Sequence, residues 1–203
     1  SAAGHLMRIN PEFLTNMRFT EDFSGGVRRW SILAAKGVEA VPDPDLGSRT
    51  LLRMRKPNAD VPAGACLNFP YSTAGELTII LKVEPGFQGA HLTLSDHYDL
   101  PGLPRDGSFP SRILPSGRLQ IISSGGSWLA TPGDLTPGVW HEIHLQWNCS
   151  NGHATLHLNG TEVARIEQFV RSRGVCYLRL RSLAETTDQY GLYVKSVSVK
   201  AVP

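Results

Sequence analysis

Between residues 139 and 163 apolar and polar side chains alternate almost without a break. His141, Ile143, Leu145 and Trp147 fall on one side of an extended chain, and Glu142, His144 and Gln146 fall on the other. A period of two is the mark of a half-buried strand. After Cys149-Ser150-Asn151-Gly152 the alternation resumes, with Ala154, Leu156 and Leu158 as the apolar set, and Asn159-Gly160 then turns the chain again. Matching the apolar faces through the first turn pairs Asn148 with His153, Gln146 with Thr155 and His144 with His157. The spacing predicts a β-meander with that register.

The same reading extends over most of the chain. Strands are predicted at 17–23, 30–33, 38–41, 50–55, 65–69, 76–83, 90–95, 109–114, 119–123, 127–130, 176–182 and 190–202, with turns rich in Gly, Pro, Ser and Asp between them. Residues 96–108 and 131–138 read as loops, and 163–170 is the one stretch that could hold a helical turn. More than ten short strands with regular turns imply an all-β sandwich or barrel, and no internal repeat points to a solenoid or propeller.

Composition narrows the partners. A chain of 203 residues suits one sandwich domain. A formal charge of +2 with scattered arginines gives no nucleic-acid surface, and no apolar run approaches the ~20 residues of a membrane helix. Residues 1–17 have neither period nor apolar stretch and read as vector-derived or disordered sequence ahead of a single domain at 18–203. Cys66, Cys149 and Cys176 have no metal or redox spacing and read as small, largely buried thiols. Asn148-Cys149-Ser150 and Asn159-Gly160-Thr161 match the glycosylation acceptor pattern, but such triplets are common and the second is already explained as a turn.

The strand that opens Trp140-His141 and closes Leu145-Gln146-Trp147, followed by one ending in Asn159-Gly160, resembles the laminin-G-like and concanavalin-A-like jelly-roll sandwiches. Phe23, Gly26 and Trp30 near the start and the run from Gly191 to Val199 near the end fit the same superfamily. The resemblance implies two curved antiparallel sheets, neighbouring first and last strands, and carbohydrate held on the concave face or in loops beside it. Tyr177-Leu178-Arg179-Leu180-Arg181-Ser182 with Asp188 is similar to the tail domain of some bacterial sialidase-like propeller proteins. That likeness implies a secreted or cell-surface bacterial protein and an adjacent catalytic domain.

Several candidate sites follow. The Glu-x-Asp-x-x-Glu motif of laminarinase-type members is absent, and Glu76, Glu142 and Glu162 stand alone on their strands, which weakens a glycosidase reading. His144, Gln146 and His157 share one polar face and, with a nearby arginine, hold the residue types of a polysaccharide lyase. The loop containing Asp96, His97, Tyr98 and Arg105 offers an aromatic ring, hydrogen-bonding groups and a cation. Trp128, flanked by Gly125-Gly126, is the best exposed aromatic, whereas Trp30, Trp140 and Trp147 read as core with indole N–H groups needing partners. Arg53, Arg55, Arg112, Arg179 and Arg181 alternate along strands as sheet-surface residues, Arg112 being the one carried into the ligand-binding set. No cofactor is expected; a structural calcium of the kind the superfamily carries would draw on Asp22 or Asp188. The expected function is a non-catalytic carbohydrate-recognition or accessory domain with a glycan or polysaccharide partner. The competing readings are a lyase or glycosidase using the polar sheet face, and a structural domain packed on a catalytic partner.

Overall fold

The computed structural model describes residues 17–33, 36–98 and 107–202. Among the described residues fifteen strands form two antiparallel sheets. Sheet A runs in the order β13 (Thr161–Glu167), β12 (His153–Leu158), β11 (Trp140–Asn148), β6 (Ala74–Val83), β15 (Asp188–Val202), β4 (Thr50–Lys56) and β3 (Val38–Pro42). β1 (Arg18–Glu21) pairs with the second half of β15, so the first and last strands are neighbours as expected. Sheet B runs β10 (Trp128–Asp134), β9 (Arg118–Ile122), β8 (Phe109–Ile113), β7 (Ala90–Ser95), β14 (Val175–Ser182), β5 (Gly64–Ser72) and β2 (Trp30–Leu33). Among the described residues no helix is long and apolar enough to cross a membrane.

The core lies between the sheets. Leu77, Ile79, Leu81 and Val83 of β6 meet Leu67 and Phe69 of β5, Leu92 and Leu94 of β7, and Leu178 and Leu180 of β14, all essentially inaccessible to solvent. Burying one such side chain contributes about 1.5–3 kcal/mol, so this layer is the main source of stability.

The meander has the register read from its sequence: Asn148 pairs with His153, Gln146 with Thr155, and His144 with His157. Its second turn is a mirror-image type, with Asn159 at φ +50° and Gly160 at φ +79°, the conformation that matches the right-handed twist of the strands. Asn159 also ties the turn down: its Oδ1 accepts the Glu142 N–H at 2.9 Å and its Nδ2 donates to Nδ1 of His141 at 2.9 Å. At the other end of β11, Trp147 is buried because its neighbour on β6 is Gly75. A Cβ at Gly75 would come within 2.5 Å of the indole.

Three local expectations are corrected. Thr161–Glu167 is a strand, not a helical turn, because β12 supplies an edge to pair with. Residues 131–134 belong to β10 rather than to a loop. Trp140 lies half-buried outside the core, on the side of Glu142 and His144, where Lys82 approaches its ring to 5.1 Å. Trp30 and Trp147 are core residues, but their indole N–H groups find no partner; they pack on Phe23 and Phe69 instead.

Candidate functional site

Outward residues of the two sheets lie on opposite sides of the sandwich, and the candidate residues divide between them. On sheet A the rings of His144 and His157 are 5.5 Å apart, with His144 Nε2 and His157 Nδ1 lacking hydrogen-bond partners. Gln146 stands beside Thr155 and Glu76, and Glu76 is paired with Lys200 at 3.1 Å. An open groove of about 520 Å³ runs along Glu76, Gln146, His153, Thr155 and Arg165. Farther along this face Lys82 is wedged between Trp140 and Tyr193 and ion-paired with Asp45 at 3.0 Å. That is a satisfied surface cluster rather than a site awaiting a ligand.

Sheet B brings together more chemistry. β7 alternates Ala90, Leu92 and Leu94 toward the core with His91, Thr93 and Ser95 toward the outside. The outward three are nevertheless buried, His91 at 4 % exposure. Register places Arg181 of β14 on one side of His91 and Arg112 of β8 on the other, with Arg179 beside Thr93. Arg112 continues the row: its Nε donates to Gln120 Oε1 at 2.7 Å, and its guanidinium lies 4.3 Å from the centre of the Trp128 ring. The His91 and Trp128 rings are 5.5 Å apart.

Trp128 reaches this row through a tight turn. Ser123 N–H bonds Ser127 O, Gly126 N–H bonds Ser123 O, and Gly126 has φ +81°. The turn starts β10 at Trp128, directly across from Ile122 and one outward position from Gln120. Trp128 stays half-buried.

Burial pushes the His91 imidazole down to about 3; Arg112, Arg181 and, more weakly, Arg179 act in the same direction, and a backbone hydrogen bond at Ser111 opposes them. His91 is therefore neutral at any ordinary pH, and its Nδ1 has no hydrogen-bond partner. Its neighbour two strands away, Cys66, has a thiol pushed up to about 12 by burial, which leaves it a poor nucleophile.

Asp96, His97 and Tyr98 follow directly from β7 at the other end of the same sheet. Asp96 Oδ1 meets His97 Nδ1 at 2.7 Å, and Tyr98 packs edge-on against Tyr177 of β14 with ring centres 6.1 Å apart. Arg105 lies outside the described residues. Thus Arg112 and Trp128 are in contact, Asp96 to Tyr98 belong to the same sheet, and His144, Gln146 and His157 are on the other one.

His91, Gln120, Arg179 and Arg181 were not among the sequence candidates. Their alternation within strands was readable, but their convergence was not: β14 lies some eighty residues after β7 and joins it only through the sheet order.

The carboxylates considered for calcium do not fit it. Asp188 Oδ1 accepts the Tyr190 and Gly191 N–H groups and its Oδ2 accepts that of Gln88, so it serves as a turn anchor. Asp22 Oδ1 accepts both the N–H and the hydroxyl of Ser24. Among the described residues no three His, Cys, Asp or Glu side chains converge.

No protein-family model matches the sequence, and no curated protein matches it. Solved structures do. A sialidase is matched over 91 % of this chain with a TM-score of 0.63 at 11 % identity, and this chain spans only 18 % of it. A glycoside hydrolase family 16 endo-glucanase from Bacteroides ovatus is matched with a TM-score of 0.61 at 11 % identity, over 89 % of this chain and 99 % of that one. The fold is a concanavalin-A-like jelly roll. The lumenal domain of VIP36, in a form bound to Ca2+ and Man3GlcNAc, aligns with a TM-score of 0.60 at 8 % identity over 92 % of this chain and 89 % of that one. At these identities the likeness is one of jelly-roll architecture, shared by lectin and glycosidase alike.

Proposed function

We propose that this jelly roll is a non-catalytic carbohydrate-recognition domain whose binding face is the outward side of sheet B. The observation that carries the reading is the half-buried Trp128, backed by Arg112 at 4.3 Å and continued by Gln120 and His91. An aromatic ring gives a sugar an apolar surface to stack on, and fixed polar groups beside it select hydroxyl geometry. Arg112 is held by two partners at once, so little side-chain entropy remains to be lost on binding.

Chemistry on this face is disfavoured on physical grounds. A glycosidase needs two carboxyl groups across the scissile bond, and the one acidic residue on a sheet B strand, Asp134, is engaged by Arg118. His91 with a pKa near 3 is too weak a base to abstract a sugar ring proton in a lyase reaction. The small share of the sialidase that this chain spans supports an accessory module working beside a catalytic domain. A secreted or cell-surface location and a polysaccharide partner belong to the same proposal.

The test is a glycan array probed with the wild-type protein and with Trp128→Ala. Binding without turnover, weakened about tenfold or more in the variant, is expected from the loss of one stacking contact worth roughly 1–2 kcal/mol. Equal binding by both proteins would sink the sheet B assignment. A rise in absorbance near 235 nm on uronate polymers would replace it with a lyase.

A further inference from the structure

Asparagines 148, 151 and 159 stand at the turns of the meander, and each meets the residue after it differently. Asn148 Oδ1 accepts the N–H groups of Ser150 at 2.9 Å and Asn151 at 3.3 Å, and the N–H that follows it, on Cys149, donates to Thr73 O at 2.7 Å. Asn159 reaches back to β11, where both ends of its amide are held, Oδ1 by the Glu142 N–H and Nδ2 by Nδ1 of His141. Asn151 is exposed, and its Oδ1 accepts the His153 N–H at 3.1 Å. That contact closes an Asx turn, which folds the side-chain amide back over the next peptide unit.

The next peptide unit is that of Gly152. Among the described residues nothing accepts the Gly152 N–H, and nothing holds Asn151 Nδ2. Gly152 has no side chain to screen its nitrogen, and the Arg171 guanidinium takes that space, its Nη1 3.1 Å from where a Cβ would be. A positive charge there favours the deprotonated, nucleophilic form of the nitrogen. The His153 N–H on Oδ1 draws electrons from Cγ and stabilises negative charge that develops on that oxygen.

We propose that Asn151-Gly152 is a self-modifying site, at which Asn151 passes through a cyclic imide to isoaspartate and aspartate while Asn159-Gly160 stays intact in the folded protein. The Gly152 nitrogen loses its proton and bonds to Cγ of Asn151. The Cγ–Nδ2 bond breaks, and Nδ2 leaves as ammonia with that proton. Water then opens the five-membered ring: addition at the side-chain carbonyl gives aspartate, and addition at the main-chain carbonyl gives isoaspartate, with the backbone rerouted through Cβ and Cγ. No oxidant or reductant is needed. Either product puts a carboxylate at the rim of the sheet A groove, which Asn151 lines together with Glu76, His153 and Arg165. The inference is independent of the glycan reading.

The test incubates wild-type protein at mildly alkaline pH, folded in buffer and unfolded in guanidinium chloride, side by side. Digestion and tandem mass spectrometry then count the amide-to-acid conversion at each asparagine, the isoaspartate peptide eluting apart from the aspartate one. Freeing the Asn159 amide gives up two hydrogen bonds, so in the folded protein conversion at 151 should be about tenfold or more faster than at 159. In the denatured chain those contacts are gone and the two Asn-Gly sites should convert at similar rates. Equal rates at 151 and 159 in the folded protein overturn the proposal, as does faster conversion at 159. An intact Asn151 in the folded protein overturns it too, whether or not the denatured chain reacts. If the same preference for 151 persists in guanidinium chloride, the selectivity does not come from the fold and the proposal falls.

Discussion

His91 shows most clearly how one residue's chemistry is decided by its place in the fold. An exposed histidine gains a proton near pH 6.5, but this one is held neutral to about pH 3. Between those values the unfolded chain binds a proton that the native protein does not. The stability His91 preserves is therefore complete above pH 6.5 and is lost as the pH falls toward 3, at up to about 1.4 kcal/mol per pH unit. Comparing denaturant midpoints of wild type and His91→Gln at pH 7 and pH 5 should show the wild type losing about 2 kcal/mol more than the variant over that interval. Parallel pH profiles would mean that the imidazole is not kept neutral. The position also explains why the residue escaped sequence reading. His144 and His157 drew attention because they share a contiguous meander, whereas His91 acquires Arg181 as a neighbour only once β14 is laid beside β7.

At the scale of elements, the meander was legible because each constraint on it is local. Alternation sets the faces, the turns set the register, and β11, β12 and β13 follow one another without interruption. Its closing turn should accordingly respond to a local change. Asn159→Ala removes two side-chain hydrogen bonds and leaves the Cβ at positive φ with nothing to compensate, which should cost about 2 kcal/mol. Asn159→Gly loses the hydrogen bonds but keeps the backbone freedom and should cost less; urea unfolding of both variants would separate the two contributions. If the two variants are equally destabilised, the backbone has no share in the turn's preference for Asn. The failures of prediction at this scale have the same origin. Trp140 reads as core in the sequence although its own alternation sets it beside Glu142, and the edge that makes 161–167 a strand belongs to another element.

Across the whole molecule, the two-sheet sandwich could be anticipated from strand number and turn spacing, and the first and last strands meet as the resemblance implied. The order of strands within each sheet could not, because nothing local specifies that β14 lies between β5 and β7 or that β15 lies between β4 and β6. Candidate ligand residues spread over both sides of the sandwich for that reason. Sequence chemistry can nominate Arg112 and His144 alike, and only topology assigns them to different faces.

The chain has five lysines, and every one that lies on a strand, Lys56, Lys82, Lys195 and Lys200, is on sheet A; Lys36 sits in the turn before β3. Sheet B draws its positive charge from arginine alone. Reagents that attach proteins to a solid support through primary amines will therefore grip this one by its sheet A side. A sensor chip prepared in that way should leave Trp128 and Arg112 facing the flow and keep the ligand capacity of the protein free in solution. Comparing the immobilised and the free protein for bound ligand per molecule needs no substitution and reports directly on which side of the sandwich does the binding.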